Sequence, residues 1–406
     1  MKTDVIIVGG GLNGSALAVA LASAGLHCVV IDALPAKIRK NPKFDGRSYA
    51  IANGSARLLR TLGLWDALTD NAQPMLEIKV TDGKAGQGPS PFWMHFDHAE
   101  IEEGPMGYMV QDRHLRSTLL NALSDNDKII HMAGRKVVSQ SVDANQASVT
   151  LDNGDIIQGA LIVGSDGRQS STAQTAKIKR VAWGYDQTAL VCAVEHEKPH
   201  NGIAHQFFMP TGPLAILPLT GNRSSIVWSE TTQNAARINA LPDADYLDEL
   251  RPAFGSFLGQ IKLAGDRFTY PLGLSLATDM IADRVALIGD AAHGVHPIAG
   301  QGLNAGLRDV AALAEVLSDA RKRGLDIGSP ITLGEYQKWR RFDNTTLAIA
   351  TDSFNRLFSN DNSLLRMARD LGMGVINNLP GMRRNFIREA AGLTGELPKL
   401  MQGKAL

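Results

Sequence analysis

Residues 4–32 have the sequence DVIIVGGGLNGSALAVALASAGLHCVVID, and this stretch decides how the chain begins to fold. The apolar run at 5–8 is typical of a buried parallel strand, and a glycine-rich turn follows it at 9–14. A helix pattern of small residues comes next, and a second apolar run ends at Asp32. Strand, glycine turn, small-residue helix, strand and closing acid within one short unit predict a fold that binds the ADP half of a dinucleotide.

Individual residues of this unit have distinct physical roles in such a fold. Gly9 makes the turn, Gly11 lets the backbone come close to a pyrophosphate, and Gly14 lets the helix pack against the strand. Leu12 lies in the same turn, and the Asp32 carboxylate can accept hydrogen bonds from a pair of ribose hydroxyls. A glycine-rich turn that binds no ligand is the alternative that these residues alone leave open.

A second glycine-rich stretch, GDAAHGVHPIAGQGLNAG, occupies residues 289–306. An apolar strand pattern precedes it at 285–288, and a helix pattern follows it with apolar residues at every third or fourth position from Leu303 to Leu317. A segment with so many glycines and so few large side chains cannot pack a core, but its backbone N–H groups can approach a ligand. The helix start would direct its positive dipole end at the same ligand, so this stretch is predicted to be a second part of the site.

The composition is that of an ordinary soluble globular protein. The chain has 406 residues, 44% of them apolar and 20% charged, which predicts two domains or one core with large insertions. Lys plus Arg equals Asp plus Glu at 41 each, so the charge gives no reason to expect nucleic acid as a partner. Cys28 and Cys192 lie in apolar runs and are predicted to be buried thiols, which favours the reducing cytoplasm. The N-terminus has neither a signal-peptide nor a membrane-span pattern.

The middle of the chain has a different pattern. Several stretches between 181 and 270 alternate apolar and polar residues and are predicted to form antiparallel strands. In the strand predicted at 203–209, alternate residues share one face. His205 and Phe207, with Trp228 of another strand, are therefore weak candidates for a substrate pocket, although a plain core face explains the same pattern equally well.

Four separated motifs occur in this order: the fingerprint ending at Asp32, the turn Asp166-Gly167, the pair Gly289-Asp290, and HPIAGQGLN at 296–304 followed by Gly306 and Asp309. The first three together resemble those of the group A flavoprotein monooxygenases, which have the para-hydroxybenzoate hydroxylase fold. The fourth is similar to the signature of the ubiquinone-biosynthesis hydroxylases within that group. The likeness covers nearly the whole chain and weakens after Phe342.

The resemblance implies that the cofactor is FAD and that its ADP half lies at the N-terminal turn. It also implies that Asp166 with Gly167 shapes the flavin site and the entry face for the reductant, and that Asp290 accepts from the ribityl hydroxyls. Residues 300–304 would lie beside the isoalloxazine ring. The implied cofactor-binding residues are Gly9, Gly11, Leu12, Gly14, Asp32, Arg47, Gln111, Asp166, Asp290, Gly300, Gln301, Gly302, Leu303 and Asn304.

Two departures from the family pattern matter. The acid that closes the second strand is often Glu in relatives, and Asp32 is shorter by one methylene group. Where some relatives have an arginine that touches FAD, this chain has Asp112, so nothing is assigned to that position and Gln111 is a weak candidate. Arg47 is expected near the pyrophosphate, a bidentate role that suits a guanidinium, although a surface arginine near a helix start is the alternative.

In this family the chemistry comes from the cofactor, and the protein supplies its placement. The resemblance implies that reduced flavin and O2 form a C4a-hydroperoxide, which hydroxylates an electron-rich phenol ring when water is excluded. Pro297 is predicted to fix the loop beside the flavin, and His293 and His296 are predicted to line the flavin pocket or to satisfy loop carbonyls. No third ligand is patterned near the two histidines, so no metal is predicted. No residue is nominated as a general base.

The implied substrate is a polyprenylated phenol of ubiquinone biosynthesis, and the implied electron donor is NAD(P)H or another reductant. Other ubiquinone-biosynthesis proteins are implied partners. An apolar and basic pattern at 379–388 suggests peripheral contact with the inner membrane, against the alternative of an amphipathic helix packed on the FAD-binding domain with solvated arginines. Two other functions stay open: a flavin-dependent reductase or dehydrogenase of an apolar substrate that does not activate oxygen, and a non-catalytic flavin-bound assembly factor.

Together these patterns predict an α/β protein with a Rossmann-like FAD-binding domain, a mixed antiparallel-sheet substrate domain and a helical C-terminal region. Within the sheet domain, residues 83–91 are rich in Gly, Pro and Ser and are predicted to form a loop. The predicted boundaries are 1–75, 100–180 and 271–330 for the discontinuous FAD-binding domain, 76–99 and 181–270 for the sheet domain, and 331–406 for the helical region.

Overall fold

The computed structural model describes residues 1–86, 88–295, 300–358 and 379–406; for residues 88–92, 354–356 and 358 it describes the backbone but not the side chains. Among these residues, none of the helices combines the length and the apolar character that crossing a bilayer requires. The architecture consists of two large sheets, two small three-stranded sheets and a C-terminal set of helices.

The strands, in chain order, are β1 (Val5–Val8), β2 (Cys28–Asp32), β3 (Ser48–Ala52), β4 (Ala72–Met75), β5 (Glu77–Lys84), β6 (Gly88–Asp97), β7 (Gly107–Gln111), β8 (Ile129–Ala133), β9 (Val137–Val142), β10 (Ala147–Leu151), β11 (Ile156–Gly159), β12 (Leu161–Gly164), β13 (Arg180–His196), β14 (Ile203–Met209), β15 (Gly212–Leu219), β16 (Arg223–Thr231), β17 (Ile261–Leu263), β18 (Phe268–Ala277), β19 (Ile281–Ala282), β20 (Val285–Leu287) and β21 (His293–Gly294). The helices are α1 (Leu12–Ser23), α2 (Ala36–Arg39), α3 (Asn53–Thr61), α4 (Asp112–Ser124), α5 (Ser171–Thr175), α6 (Thr232–Asn239), α7 (Asp243–Phe254), α8 (Gln301–Lys322), α9 (Pro330–Phe358) and α10 (Pro380–Ala390). Short 3-10 turns occupy Thr69–Asn71, His98–Glu100, Gly289–Ala291 and Lys399–Gln402.

One large sheet carries the N-terminal fingerprint and has the strand order β19-β20-β12-β1-β2-β8. Its neighbouring strands are parallel, except that β19 runs antiparallel to β20. Every residue of β1 and β2 is buried, as continuous apolar runs predict for a parallel sheet that is covered on both faces. Because β1 lies between β12 and β2, the glycine turn that follows it opens in the middle of the sheet.

Helices α1 and α8 pack against each other beside this sheet. The small residues of α1 from Gly14 to Ala22 are buried, which allows the close approach. The predicted apolar positions of α8 are buried from Leu307 to Leu317, so the helix predicted from their spacing is confirmed. Both cysteines are also buried and free, as predicted, and burial raises the pKa of the Cys192 thiol to about 12.

The second large sheet is mainly antiparallel and has the order β21-β18-β13-β16-β15-β14-β5-β6, with β17 paired to β13. Only β14 and β5 run parallel among the neighbours in the part of the sheet that is described. Strands β14 to β17 and nearly all of β13 fall in the region predicted to form antiparallel strands, whereas β18 continues beyond it to Ala277. The combination of the two sheets with the C-terminal helices therefore agrees with the predicted fold class.

The two faces of the second sheet have different coverings. What we call the back face carries alternate residues of β13 to β16, such as Cys192 and Trp228, which pack under α6 and α7. The residues between them point to the opposite side, the front face. There Ala193 and Ala204 pack against Met75 of β4 and other residues of the β3-β7-β4 sheet. The front face is therefore the one that faces the part of the molecule built around the fingerprint.

The prediction of a loop at 83–91 is wrong, because β5 continues to Lys84 and β6 already begins at Gly88. Gly83 pairs with Pro89 beside an irregularity in the register. The strand β6 lies at the edge of the sheet, where a proline without an N–H group removes no inner ladder bond. Turn-forming residues were therefore compatible with an edge strand.

Helix α10 contains the apolar and basic pattern at 379–388. Its Ile387 is fully buried among apolar side chains of β5, β6 and β14. Arg383 pairs with Glu100 at 2.8 Å, and Arg388 pairs with Glu103. The helix therefore packs on the second sheet and also contacts Glu100 and Glu103, which lie in the range predicted for the FAD-binding domain. Both arginines are paired, although Arg388 remains 44% exposed.

Candidate functional site

The start of α1 has two closely packed glycines and one open glycine. Gly9 has a φ of +107°, and an added Cβ would lie 2.3 Å from the Ser165 carbonyl oxygen. A Cβ on Gly14 would lie 2.0 Å from the Gly9 oxygen, whereas a Cβ on Gly11 would meet no described atom within 4 Å. Leu12 begins the helix. The packed glycines fix the turn, and the open one leaves room for a phosphate at the positive end of the helix.

Asp32 closes β2 and is almost completely buried. Its carboxylate accepts from Arg39 Nε at 2.7 Å and Nη2 at 3.1 Å, and from the Leu34 amide at 3.0 Å. Arg39 lies on the short helix α2 and was not anticipated from the sequence. A ribose that binds Asp32 must share the carboxylate with Arg39 or displace it.

Arg47 is held by two acids. Its Nε and Nη2 donate to Asp45 at 2.9 and 2.7 Å, and Nη2 lies 3.4 Å from Asp112. Asp112 thus helps to orient Arg47, and it also pairs with Arg116 at 2.8 Å. Gln111 is buried and accepts from Arg113 rather than facing open space.

The Asp166 side chain is used within the protein. It accepts from the hydroxyls of Ser170 at 2.5 Å, Ser171 at 3.1 Å and Thr172 at 3.0 Å, and from the Thr172 amide at 3.0 Å. These bonds fasten the turn before α5, directly after Ser165, which packs on Gly9. Asp166 therefore shapes the wall beside the fingerprint through the backbone it holds.

Asp290, in contrast, has a half-exposed carboxylate. It lies in the 3-10 turn after β20, and its side-chain neighbour is Arg168 at 3.4 Å. Arg180 donates to the Asp290 carbonyl at 3.2 Å and also to the next carbonyl of the turn. Burial lowers the pKa of Arg180, and the Asp290 charge opposes this effect. The turn is thus fixed through its backbone, which leaves the carboxylate available to a ligand.

The start of α8 repeats the arrangement of packed and open glycines. Gly300 has a φ of +65°, and a Cβ there would lie 2.9 Å from Ala50 Cβ; a Cβ on Gly302 would meet no described atom within 4 Å. Gln301 and Leu303 are partly exposed beside it. The Asn304 amide accepts from the Ala52 N–H at 2.9 Å and donates to the Ala50 carbonyl at 2.8 Å. Asn304 therefore fastens α8 to β3 instead of presenting its side chain to a ring.

Asn13 joins the two helix starts and was not anticipated. A Cβ on Gly289 would lie 2.3 Å from the Asn13 side-chain nitrogen, and a Cβ on Gly306 would lie 2.2 Å from the same atom. Both glycines are needed to admit it. The only signal in the sequence is the position of Asn13 inside the first glycine turn.

The three predicted catalytic residues are placed differently. His296 and Pro297 lie outside the described residues. His293 is buried, and its Nε2 lies 2.5 Å from the carboxylate of Asp309. Asp309 is also paired with Arg340 at 2.8 Å. His293 thus belongs to a buried charged cluster behind the turn of Asp290.

The three weak substrate candidates lie on the back face of the second sheet. Trp228 belongs to the apolar core under α6 and α7, partly buried Phe207 packs against that core, and the His205 ring lies 4.6 Å from the Phe257 ring. Burial, with a smaller effect from Lys79, lowers the pKa of His205 to about 4. The core alternative therefore describes this face, because helices cover it and the fingerprint lies on the other side.

One cross-strand row of the front face is partly exposed in the middle of the sheet. We call it the front row; it consists of Gln206, Ala215, Val227 and Val191, each directly opposite the next. Packed neighbours would bury such central residues, so their exposure indicates a space in front of them. Ala50 contacts both the front-face cluster and the position of Gly300. The start of α8 therefore lies on the same side of the sheet as the front row.

These features fit a bound FAD. Two helix starts with open glycines lie side by side, joined by Asn13, and each can stabilise negative charge. A buried acid, Asp32, ends the strand beside the first helix, and a half-exposed acid, Asp290, precedes the second. The spaces at Gly11 and Gly302 can admit the pyrophosphate and the ring system.

Comparisons with known proteins support this interpretation. Residues 2–329 match the family described as FAD binding domain. The chain is 45% identical over 406 residues to the ubiquinone hydroxylase UbiL of Rhodospirillum rubrum, covering 99% of this chain and 93% of that protein. It is 34% identical to the 3-demethoxyubiquinol 3-hydroxylase of Escherichia coli, covering 96% of this chain and 99% of that protein. It is 31% identical to the human mitochondrial ubiquinone biosynthesis monooxygenase COQ6, covering 96% and 92% respectively.

Solved structures show the same fold at much lower identity. The p-nitrophenol 4-monooxygenase PnpA of Pseudomonas putida superposes with a TM-score of 0.80 at 19% identity, covering 97% of this chain and 99% of that chain. The Pseudomonas aeruginosa protein PqsL, solved with 2-aminobenzoylacetate, gives a TM-score of 0.74 at 20% identity, covering 92% and 99% respectively. This likeness confirms the predicted fold.

Proposed function

Because the chain belongs to the FAD-binding family of ubiquinone-biosynthesis hydroxylases, we propose that it hydroxylates the aromatic ring of a polyprenylated phenol. The enzyme is an FAD-dependent monooxygenase and uses O2, with NAD(P)H or another donor as the source of electrons. The likeness to ubiquinone hydroxylases along almost the whole chain carries the proposal. The relatives described above are named hydroxylases or monooxygenases, which gives no support to a reductase, a dehydrogenase or an assembly factor.

FAD, when bound, supplies the oxygen-activating chemistry, and the residues of the chain hold it. The open glycines Gly11 and Gly302 face its pyrophosphate and ring. Asp32 accepts from ribose hydroxyls and Asp290 from ribityl hydroxyls. The remaining proposed contacts or supports are Gly9, Leu12, Gly14, Arg47, Gln111, Asp166, Gly300, Gln301, Leu303 and Asn304.

The substrate ring lies against the front row rather than against His205, Phe207 and Trp228 on the back face. Val191, Ala215 and Val227 offer a small, apolar surface opposite the start of α8, which suits an aromatic ring and excludes water from it. Gln206 is the polar member of the row, and its amide can bond to an oxygen substituent of the ring. One polar group in an apolar wall orients the ring while leaving most of its edge in apolar contact.

A substrate with a long prenyl tail resides in a bilayer, so the proposed enzyme has to contact the membrane surface. Leu379, Met382 and Phe386 form an exposed apolar stripe on α10. This stripe is next to Ile387, which is anchored in the second sheet, and it suits shallow insertion into a bilayer from which a long-tailed substrate is drawn. Arg384 is exposed on the same helix, whereas its neighbour Arg383 is paired with Glu100.

The bilayer contact is tested by liposome sedimentation of Phe386→Ser beside activity on long-tailed and short-tailed phenols. We expect weaker sedimentation and a selective loss of the long-tailed reaction. Unchanged sedimentation with equal activity on both substrates would contradict this part of the proposal.

The hydroxylase activity is tested with purified holoenzyme, a phenol that carries one short isoprenoid chain, and 18O2. We expect one 18O atom in the ring product by mass spectrometry. A matched pair of variants locates the chemistry: Gly302→Leu fills the open space at α8, and Gly334→Leu fills an equally open position on α9. The first variant should lower 18O incorporation at least about tenfold, since a methylene-scale change in a pocket has effects of that size.

Two outcomes would contradict the proposal. Oxidised product without 18O would indicate a dehydrogenase, because that reaction takes no oxygen atom from O2. Equal 18O incorporation by Gly302→Leu and Gly334→Leu, with FAD bound in both, would remove the start of α8 from the site.

A further inference from the structure

Asp309 of α8 is completely buried and connects three parts of the chain. Its two oxygens accept hydrogen bonds from the Gly289 amide at 3.0 Å, His293 Nε2 at 2.5 Å, Arg340 Nε at 2.8 Å and Asn344 Nδ2 at 3.3 Å. The first two donors flank Asp290 in the turn after β20, and the other two belong to α9. A single carboxylate therefore joins α9 to the turn that carries Asp290.

The Asp309 carboxylate is ionised, and both of its oxygens accept hydrogen bonds. Burial alone would raise the pKa of Asp309, but the charges of His293 and Arg340 and their hydrogen bonds outweigh it and lower the pKa to about 2. Arg340 is buried as well, and its remaining nitrogens donate to Asp343 at 2.6 Å and Asn344 at 2.9 Å. Apolar residues of similar volume can stabilise a core as well as a buried ion pair does, so what distinguishes the ion pair is its demand for one geometry.

The backbone that Asp309 holds at Gly289 has a conformation and a close packing that require glycine. Gly289 has a φ of +57°, in the left-handed region, and Asn13 packs where its Cβ would be. Arg180 holds the following carbonyls from the other side. The bond from the Gly289 amide to Asp309 is therefore the contact that sets the turn against α8, and with it the direction of the Asp290 carboxylate.

We propose that Asp309 is a positioning residue for FAD, which acts through the Gly289 amide and His293 without touching the cofactor, and that Arg340 is its partner in this role. The inference rests on the proposed contact between Asp290 and the ribityl chain. It assigns a function to α9 as well, since the helix that supplies Arg340 would contribute to cofactor affinity from behind the site.

The test titrates FAD into apoprotein and follows the quenching of flavin fluorescence, with the thermal midpoint of each apoprotein measured alongside. Asp309→Asn keeps the shape of the side chain but removes its charge and half of its acceptor capacity. We expect the FAD dissociation constant to rise roughly tenfold to hundredfold, the size seen when an outer-shell partner is lost. At saturating FAD, the visible circular dichroism of the flavin should also change, because the turn no longer holds the ribityl chain in one orientation.

Asp326→Asn is the matched control. It breaks the Arg284–Asp326 pair, which lies at the opposite end of β20 and also involves a buried arginine. We expect it to lower the thermal midpoint while the FAD dissociation constant stays within about twofold, since additivity holds for sites that share no partners. If Asp309→Asn and Asp326→Asn change FAD affinity equally at equal loss of stability, the positioning role is overturned.

Arg340→Lys provides the test if Asp309→Asn does not fold. Lysine keeps the charge but cannot reproduce the forked donors, so a smaller rise in the FAD dissociation constant is expected. An unchanged dissociation constant and an unchanged flavin spectrum in Arg340→Lys would overturn the inference.

Asp290→Asn separates this inference from the proposed function. If Asp290→Asn weakens FAD binding and Asp309→Asn does not, the ribityl contact stands and the positioning role fails. If Asp309→Asn weakens FAD binding and Asp290→Asn does not, the ribityl contact fails, and the Gly289 backbone itself is what Asp309 positions for FAD.

Discussion

The two faces of the second sheet are formed by the same strands, yet they differ in what covers them. On the back face, Trp228 and Phe207 fill a core under α6 and α7. On the front face, the residues one position away, such as Val227 and Gln206, are smaller or polar and remain partly exposed. Strand alternation separates the two sets but does not say which set is covered by helices. The covering is decided by segments far away in the sequence, and it turns one face into a core and the other into the proposed substrate wall.

The largest effect is expected from emptying the back face. Trp228→Ala removes a large side chain that is only 4% exposed, so the free energy of unfolding should fall by about 3–5 kcal/mol. Urea unfolding followed by circular dichroism measures the loss. FAD affinity of the folded variant should be unchanged, because Trp228 lies on the back face and the sheet separates it from the helix starts. A folded Trp228→Ala protein with normal stability but impaired substrate binding would reverse our assignment of the two faces.

The second prediction concerns the pH dependence of the back face. The pKa of His205 is lowered to about 4 in the folded protein, below the ordinary value of about 6.5 expected in the unfolded chain. The unfolded state therefore binds more protons between these values, and stability falls as the pH drops from about 6.5 to about 4. His205→Leu should flatten this part of the profile by up to about 3 kcal/mol, measured by urea unfolding at several pH values. An equally steep profile in the variant would show that His205 is not the group responsible.

The third prediction fills the front row. Ala215→Phe places a ring in the proposed substrate space, so hydroxylation of a short-tailed phenol should fall roughly tenfold to hundredfold. FAD affinity and the thermal midpoint should change little, because Ala215 is partly exposed to that space. Product quantification by mass spectrometry, with the two controls measured on the same preparation, checks this. Full activity with unchanged coupling of oxygen consumption to product would exclude the front row as the substrate wall.

The smallest effect is expected from Gln206→Leu. The change keeps the approximate size of the side chain but removes an amide that can bond to the ring substituent, so KM should rise about threefold to tenfold, the equivalent of one ordinary hydrogen bond. The same substitution should leave kcat nearly unaltered, since the amide orients the ring and takes no part in oxygen transfer. Steady-state kinetics separates the two parameters. A drop in kcat at constant KM would assign Gln206 a different role.

Local patterns made much of this molecule predictable. The run from β1 to Asp32 could be interpreted because strand, turn and helix signals lie within one short unit, and the same holds for the passage from β20 through Gly302. Gly9 and Gly14 were informative because their close contacts are with backbone, which has the same chemistry in any sequence. The site residues of this type therefore remain the strongest cofactor candidates.

Long-range partnerships were not predictable. Arg340 lies on α9 with no motif around it, and although Asp309 belongs to the fourth motif, nothing in that motif shows that Arg340 is its partner. Arg39 and Asp112 meet Asp32 and Arg47 through tertiary contacts, and these charge pairs have no spacing rule. The edge strand β6 was missed because its prolines are tolerated by its position in the sheet, which the sequence does not show.

The bond between Asn304 and the Ala52 amide joins residues 252 positions apart, and this separation has a consequence for biosynthesis. During synthesis, the fingerprint is translated long before α8. The strand β12 is likewise translated before β20, the strand that pairs with its edge. Contacts of such long range form late, after the cost of closing a large loop has been met. Cofactor capture is thus an event of the nearly finished chain, and until then β12 presents an unpaired strand edge on that side.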